Sequence, residues 1–488
     1  MASIRSQALC APSSGTGIRS PRSPRPRRPP PHFVTRRAQG VVLLLALSGC
    51  TTYFVLRRSQ PLVLQPAAEP PAPSEVEWRV PVGCDFSGFF VEVVLGFVPA
   101  LARRRLLSPL RPGGHSRLHL LTGRCSSAFL AKLAPVEAAA YTSTWSDEAE
   151  RSKGGRTAAS IVIEHGHPCE RRAWRADERP LWVVQRAMSE ANLSTEAALC
   201  LRDADEVWVP SEWHRERFEA AGVRPSVLRV VGQPVDVTFF DPRKLPPRAP
   251  AKDTPACSLL SVFKWEARKG WDALLTGYFA EFRRSEGTLL RIKTYVPPWE
   301  AIEGTLDDVL EHAAQRHLAS VAAPGPTPRR ARDALPRVEV VTELDVSRDA
   351  MRRLYSAADA FVLPTRGEGW GLPVVEAMAM ELPVVVTNAS GPTAYLTARN
   401  SYPVAALPGV DGAAEPSQSA LQRGMRRACF SRAEARARGK AAREDMVTRF
   451  SPDAMGDVIV ERLREAWARP EVQARLARSR RLGTDQDT

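Results

Sequence analysis

Short apolar runs separated by helical stretches form two series along the chain. The first series, from about residue 78 to 250, contains the runs LHLLT at 118, IVIEH at 161, LWVVQ at 181, EVWVP at 206 and VLRVV at 227. The second, from about 257 to 408, reads LLSVF, LLRIKTYV, VEVVTEL, AFVLP, PVVVT and YPVAAL. Such runs are typical of buried parallel strands. They predict an α/β protein with two facing, doubly wound Rossmann-like domains, whose ligand lies at the carboxyl ends of the strands.

The pattern changes at both ends of the chain. A proline-rich stretch without a helical or strand period is typical of a semi-extended stem, and a helical period after a serine cap predicts one last helix. The predicted segments are a basic tail at 1–39, an apolar run at 40–56, a stem at 57–77, a first domain at 78–250, a second domain at 251–450, and a helix with a charged tail at 451–488.

The apolar run at 40–56 predicts a membrane signal anchor. It is short for an average bilayer but fits a thin one, such as that of the endoplasmic reticulum. The arginine excess before it favours a cytosolic N-terminus and a lumenal body, which is single-pass type II topology in the endoplasmic reticulum or Golgi. The alternatives are an organelle transit peptide, a cleaved signal peptide and a bacterial lipoprotein signal at Cys50, although the long tail argues against the last.

Charge and cysteine content narrow the function classes. Eight of the fourteen net positive charges are arginines before residue 40, so the body is only mildly basic. It has neither a zinc-finger spacing nor a basic stripe interleaved with aromatic residues, and we expect no binding to nucleic acid. The eight cysteines show no metal-binding spacing, and we expect solitary buried thiols, although a lumenal body could form disulfides.

Two glutamates bracket a glycine-rich turn in PTRGEGWGLPVVEAMAMELPVVVTNASGPT, which runs from residue 364 to 393. The turn follows a buried strand and precedes a helix that begins near Pro373. Its glycines allow close approach of a ligand, and the helix start attracts anionic oxygens. Glu368 and Glu376 can therefore flank a diphosphate and accept hydrogen bonds from hydroxyls on either side of it. The simpler alternative is a solvated loop charge and a carboxylate that complements the helix dipole.

This segment resembles the E-x7-E motif of retaining glycosyltransferases with the GT-B fold, in the family 4 (group 1) type, and EGWGLPVVEAM matches the motif letter for letter. The resemblance implies transfer of a sugar from a UDP- or GDP-linked donor to a hydroxyl, with retention of configuration. It implies that Glu368 holds sugar hydroxyls and Glu376 the ribose, and that the last helix crosses back to the first domain. It also implies donor contacts from Gly367, Gly369, Gly371 and Leu372.

Two lysines follow the first strand of the second series, in FKWEARKG at 263–270. Cations there could clamp a diphosphate and stabilise the charge of the leaving nucleotide. As an isolated pair they would be solvated loop lysines. The related family reads G-R-L-x-x-x-K-G here, which places Lys264 on the arginine position and Lys269 on the lysine position. Lysine keeps the charge but lacks the bidentate fork of arginine.

Three residues of the first domain are candidates for the same site. Gly88, in GCDFSGFF, occupies the place of the family's glycine loop, although a plain capping turn explains it equally well. His165 ends the run IVIEH, where relatives often carry a histidine near the sugar, although a lone histidine is usually structural or lies at the surface. Glu190 belongs to an R-x-M-x-E segment found in part of the family and could line the acceptor side; the alternative is a charge in the first turn of a helix.

The sequence predicts neither a metal nor a tightly bound cofactor. The acids in Asp203-Ala204-Asp205-Glu206 run into a strand, and in GT-B enzymes lysines and helix ends generally supply the electrostatic stabilisation that a metal gives elsewhere. The acceptor could be a glycan, a lipid or a protein. The competing hypothesis is an inactive, membrane-tethered relative that acts as a subunit or scaffold.

Overall fold

The computed structural model describes residues 75–80, 88, 91–103, 117–131, 133, 135–147, 160–170, 174, 179–246, 254–321, 330–343 and 347–484. The predicted tail at 1–39 and anchor at 40–56 lie outside these residues, as does most of the stem. Within the described part of the chain, no helix combines the length and apolar character needed to cross a bilayer. The first strand begins at Glu75, so regular structure starts within the predicted stem at 57–77, slightly before the expected start at Trp78.

The first sheet has six parallel strands in the order β2-β1-β3-β4-β5-β6. Its central strands are buried on both faces, which explains why their sequences are continuous apolar runs. The strands are β1 Glu75–Arg79, β2 Arg117–Leu121, β3 Ile161–His165, β4 Trp182–Arg186, β5 Glu206–Val209 and β6 Leu228–Val230. The helices are α1 Val98–Arg103, α2 Ser127–Leu130, α3 Pro135–Thr144, α4 Thr195–Cys200 and α5 Glu212–Ala220, and a π-helical turn, Val91–Phe97, leads into α1.

The second sheet also has six parallel strands, in the order β12-β11-β10-β7-β8-β9. The strands are β7 Cys257–Val262, β8 Thr288–Lys293, β9 Arg337–Val341, β10 Ala360–Leu363, β11 Val384–Thr387 and β12 Tyr402–Val404. A short antiparallel hairpin follows, with β13 Ala406–Pro408 and β14 Ala414–Pro416. The helices are α6 Trp271–Glu281, α7 Leu306–Ser320, α8 Arg348–Ser356, α9 Leu372–Ala379, α10 Gln418–Phe430 and α11 Arg432–Arg449. Two parallel-sheet domains are present, as the alternating pattern predicts.

Two helices end the chain and return to the first domain. Helix α12, Pro452–Ala468, packs against α1, and α13, Pro470–Thr484, follows it directly. Ser451 caps α12 by accepting a hydrogen bond from the Ala454 amide. The single helix predicted for 451–488 is thus followed by a second one within the charged tail, and Val472 and Leu476 of α13 are buried.

Two disulfides have both cysteines within the described part of the chain, Cys169–Cys200 and Cys257–Cys429. The expectation of solitary buried thiols is therefore wrong for these four. The bond between Cys257 and Cys429 joins the first residue of β7 to α10 across 172 residues of sequence, a pairing that spacing alone cannot reveal.

Candidate active site

A cavity of about 680 Å³ lies between the two domains, at the carboxyl ends of both sheets. Strand order reverses between β1 and β3 in the first sheet and between β7 and β10 in the second, and ligands of such sheets bind at these switch points. All eleven residues proposed from the sequence are close to the cavity, and ten line it: Gly88, His165, Glu190, Lys264, Lys269, Glu368, Gly369, Gly371, Leu372 and Glu376. Gly367, the eleventh, directly precedes Glu368.

Lys269 and Glu368 form an ion pair in the wall of the cavity. The Lys269 Nζ atom lies 2.7 Å from Glu368 Oε1, and the two side chains are only 12% and 9% exposed. The turn that carries Lys269 ends at Gly270, whose φ of 70° is left-handed. A Cβ atom at Gly270 would lie 1.9 Å from the Pro364 carbonyl oxygen, so glycine is required for the lysine turn to pack against the strand end of β10.

Lys264 lies in the same cavity but is not paired with either site glutamate in the described structure. Its Nζ atom lies 5.3 Å from the centroid of the Trp299 ring, a cation–π contact. Trp299 is 63% exposed and donates a hydrogen bond from its indole to Glu266. The ammonium group thus has no strong anionic partner to displace before it meets a ligand.

Glu376 projects from α9 into the cavity, and the Tyr355 hydroxyl donates a 2.7 Å hydrogen bond to its Oε2 atom. Burial raises the pKa of Glu376 to about 7, an effect that the Tyr355 hydrogen bond and the charge of Arg348 only partly oppose. Gly371, with a φ of 91°, turns the chain into α9, where Pro373 takes an early helical position. The Tyr355 hydrogen bond fixes one of the two carboxylate oxygens of Glu376.

Two arginines that the sequence did not single out hold the glutamate loop against the lysine turn. Arg366 pairs with Asp272 and Glu415 and donates a hydrogen bond to the Ala267 carbonyl. Arg268 donates to the Gly367 carbonyl at 2.6 Å and lines the cavity. Arg268 lies between the two lysines in FKWEARKG, so a third positive charge in that turn was the sequence feature that could have indicated its role.

Gly367 and Gly369 are packed against the first domain. A Cβ atom on Gly367 would lie 2.1 Å from the Glu190 carbonyl oxygen, and one on Gly369 would lie 2.7 Å from Met188 Sδ. The loop after β4 therefore occupies the space that these glycines leave open. The sequence attributed that space to a ligand, whereas in the structure it allows the two domains to approach each other.

His165 is buried beneath the cavity, where its ring nitrogens face protein groups. The Trp78 indole donates to Nδ1 at 3.3 Å, and Nε2 lies 3.6 Å from Glu92 Oε2. Burial and the nearby charge of Arg186 hold the pKa of His165 well below its usual range, so the ring is neutral. It can orient a ligand or its neighbours without carrying charge.

Glu92 and Arg186 complete a buried network that the sequence did not reveal. Arg186 Nε donates to Glu92 Oε1 at 2.7 Å, and its other nitrogens donate to the Val231 and Gly232 carbonyls. Burial raises the pKa of Glu92 to about 7 despite this partner. Two signals were available: Glu92 is the only acid in an apolar π-helical turn, and Arg186 is the first residue of the R-x-M-x-E segment.

The acids at 203–206 lie at the opposite edge of the first sheet, before β5. Asp205 Oδ2 accepts hydrogen bonds from Arg179 at 3.0 Å and from the Val183 amide at 2.8 Å, and Glu206 is buried against Trp208 and Arg462. Among the described residues, no group of three or more acids, histidines and cysteines could hold a metal ion. The expectation of a metal-independent site stays a prediction.

Comparisons with known proteins found one sequence profile and several solved structures that are similar to this chain. Residues 288–414 match the sequence profile described as glycosyl transferases group 1. HepE of Anabaena, solved with UDP and glucose, is 13% identical with a TM-score of 0.54, covering 80% of this chain and 99% of HepE. A glycosyltransferase from Rickettsia africae ESF-5 is 13% identical with a TM-score of 0.55, covering 81% and 98%. Sucrose-phosphate synthase from Thermosynechococcus elongatus is 16% identical with a TM-score of 0.52, covering 81% and 99%. No curated protein sequence matches the chain.

Two facing parallel sheets with a shared cavity at both switch points define a protein of the GT-B fold. The match of residues 288–414 to the group 1 glycosyltransferase profile supports the group 1 part of the resemblance found in the sequence, and retention of configuration stays a prediction. That profile covers strands β8 to β13 and the glutamate loop, but not the lysine turn.

Proposed function

We propose that the chain is a retaining glycosyltransferase that moves a sugar from a UDP- or GDP-linked donor to an acceptor hydroxyl. The observation that carries the proposal is the shared cavity in which Lys269, Glu368 and Glu376 of the second domain face His165 and Gly88 of the first. A cavity that contains cations, carboxylates able to accept hydrogen bonds from hydroxyls, and a glycine loop suits a diphosphate with a sugar on each side. The UDP and glucose bound to HepE support a nucleotide-sugar donor.

In this proposal Lys264 and Lys269 bind the donor diphosphate and stabilise the charge that develops as the glycosidic bond breaks. Binding weakens the 2.7 Å ion pair between Lys269 and Glu368, and the carboxylate then accepts hydrogen bonds from sugar hydroxyls. The free oxygen of Glu376 accepts from the ribose while Tyr355 holds the other oxygen. The ion pair thus orients Lys269 and Glu368 before the donor binds, and the Tyr355 hydrogen bond orients Glu376.

Retention requires the acceptor to attack on the face that the nucleotide leaves. The departing phosphate then takes the acceptor proton, so the site needs no separate protein base. The placement of His165 supports this proposal, because its two nitrogens face Trp78 and Glu92 and its pKa is depressed. His165 then serves to orient the sugar end of the cavity as a neutral group.

We place the body in the lumen of the secretory pathway as a type II membrane protein. The two disulfides, Cys169–Cys200 and Cys257–Cys429, support this placement, because disulfides persist mainly in oxidising compartments. The predicted anchor at 40–56 supplies the membrane attachment in this proposal.

A donor-hydrolysis screen tests the proposal. The purified chain is incubated with a panel of UDP- and GDP-sugars, beginning with UDP-glucose, and release of UDP or GDP is measured beside Glu368→Gln as the matched loss-of-function control. We expect slow hydrolysis of one donor, abolished in the variant, and an anomeric product that keeps the donor configuration by NMR. Nucleotide binding without turnover of any donor or added acceptor would favour the inactive scaffold instead.

A further inference from the structure

A second cavity, of about 670 Å³, lies on the first domain at the amino ends of its strands, opposite to the active-site edge. Its walls come from the segments that precede β4, β5 and β6 and from the junction of α12 and α13. It is rich in arginine, with Arg179, Arg202, Arg224, Arg469 and Arg475 against the three acids Asp203, Asp205 and Glu471. We call this the arginine cavity.

The carboxylates of the arginine cavity neutralise only part of its positive charge. Asp205 is paired with both Arg179 and Arg475, at 3.0 and 3.6 Å, and Glu471 lies 3.6 Å from Arg469. Arg202 and Arg224 are exposed, and within the described residues neither side chain has an acceptor. Arg469 also pairs with Glu206 at 3.5 Å, behind the wall, so the excess positive charge of the cavity is that of Arg202 and Arg224.

Buried donors in the wall also lack acceptors. Trp182 is only 4% exposed, and its indole nitrogen has no hydrogen-bond partner among the described residues, nor do Arg179 Nη1 and Arg469 Nε. All three atoms are N–H donors, and a buried donor that lacks an acceptor destabilises the folded protein. Arg469 also stacks on the Trp182 ring at 5.0 Å, which holds the guanidinium and the indole side by side.

We propose that the arginine cavity binds a phosphoryl group, distinct from the diphosphate of the sugar donor. Several acceptor oxygens on one anion would satisfy the unpaired donors of Trp182, Arg179 and Arg469 together and balance the excess charge. Arginine suits this role because its planar fork matches phosphate oxygens bidentately. The phosphoryl group belongs either to a soluble phosphate compound or to the headgroup of a phospholipid, because both present the same phosphate oxygens to the wall of the cavity.

Pyrophosphate binding by the full-length chain in neutral detergent tests the proposal. Titration calorimetry is run on Lys269→Ala, which weakens anion binding in the active-site cavity, and then with Arg202→Gln and Arg224→Gln added. The matched control adds Arg423→Gln and Arg436→Gln, two exposed arginines of the second domain. We expect pyrophosphate affinity to fall roughly tenfold or more in the first pair, which loses two charge-assisted hydrogen-bond donors, and to stay unchanged in the control pair.

A second variant tests the buried wall. Trp182→Phe keeps the ring under Arg469 but removes the N–H donor, so pyrophosphate affinity should fall several-fold while the melting temperature stays close to that of the parent chain. Affinity that is unchanged in both Trp182→Phe and the Arg202/Arg224 pair would overturn the proposal. So would binding already abolished by Lys269→Ala alone, because the anion would then belong to the active-site cavity.

Competition by vesicles separates the two sources. If vesicles of phosphatidylcholine with phosphatidic acid displace pyrophosphate and pure phosphatidylcholine vesicles do not, the phosphoryl group is that of a lipid. If neither displaces it, the ligand is a soluble phosphate compound. The proposal stands in both cases and does not depend on glycosyl transfer, so its failure would leave the proposed function untouched.

Discussion

At the scale of single residues, Glu376 links nucleotide binding to pH. Its pKa is raised to about 7 by burial, so the ionised fraction grows as the pH rises through neutrality. Ionised carboxylate is the stronger acceptor for ribose hydroxyls. We therefore expect UDP or GDP affinity to increase between about pH 6 and 8, around this pKa.

Substitution separates this effect from general pH effects. Glu376→Gln should bind the nucleotide more weakly and with a flat pH profile, as measured by titration calorimetry at several pH values. Glu216→Gln, an exposed acid on α5, is the matched control and should keep both the affinity and the slope. An unchanged slope in Glu376→Gln would show that another group governs the titration.

Lys269 is the residue on which the proposed charge stabilisation depends. Lys269→Ala should lower kcat by roughly a hundred-fold or more, in line with the loss of one preorganised electrostatic group. Lys440→Ala, an exposed lysine on α11, should leave kcat unchanged. EDTA should have little effect on the native chain, because in the proposed mechanism the lysine supplies the positive charge that a metal would otherwise give. Strong inhibition by EDTA, reversed by Mn²⁺, together with an active Lys269→Ala, would contradict this assignment.

At the scale of elements, the glutamate loop and the loop after β4 pack through glycines. Gly369→Ala should lower kcat by roughly ten- to a hundred-fold, since small misplacements of reacting groups are costly. The added methyl meets Met188 Sδ, the end of a flexible side chain, so Met188→Ala in the same chain should restore much of the activity. Steady-state kinetics of the single and double variants measure both effects.

Gly367→Ala provides the contrast, because its methyl would meet the Glu190 carbonyl oxygen at 2.1 Å, and no side-chain truncation removes that atom. Its loss of activity should persist when Met188→Ala is added. Rescue of both glycine variants by Met188→Ala would mean that the clash with the backbone is not the cause. Full activity in both would mean that the domains do not need to approach this closely.

Sequence patterns predict elements well where a local property determines them. The run IVIEH coincides with β3, Ile161–His165, because strands buried on both faces are apolar throughout. The motif around Glu368 and Glu376 likewise defines a strand, turn and helix at the predicted place. Contacts across long sequence separations were out of reach: the Arg186–Glu92 pair joins residues 94 apart. The helix α13 was missed because its buried residues are few among charged ones.

At the scale of the whole molecule, the domains are joined by ion pairs as well as by the loops. Arg348, on α8 of the second domain, donates to Glu137 at 2.7 Å and to Asp236 at 3.0 Å. Both acids belong to the first domain. These bonds lie away from the lysine turn, so they hold the domains together without occupying the cavity.

Topology can be tested on the whole chain. Asn192-Leu193-Ser194 is an N-glycosylation sequon, and Asn192 is exposed on the loop before α4. In the lumenal placement, the expressed chain should lose mass on treatment with a glycosidase. Asn192→Gln should lack the part of that mass carried at this site, whereas the second sequon, Asn388-Ala389-Ser390, would account for the rest. The body should also resist protease in intact microsomes. Complete digestion there would place it on the cytosolic side, whatever the state of the sequon.

The return of the last helices to the first domain has a consequence for biosynthesis. Glu206 on β5 is fully buried, and its two nearest cations are Arg462 at 2.6 Å and Arg469 at 3.5 Å, both in the last helices or between them. The first domain itself supplies the Trp208 indole at 2.9 Å and Arg229 at 3.7 Å. Domains generally fold as they emerge from the ribosome, the N-terminal one first. Here the first domain lacks the two nearest partners of this carboxylate until the whole second domain has been translated. A ribosome that stops early would therefore release a chain whose first domain, although it was translated first, remains incomplete.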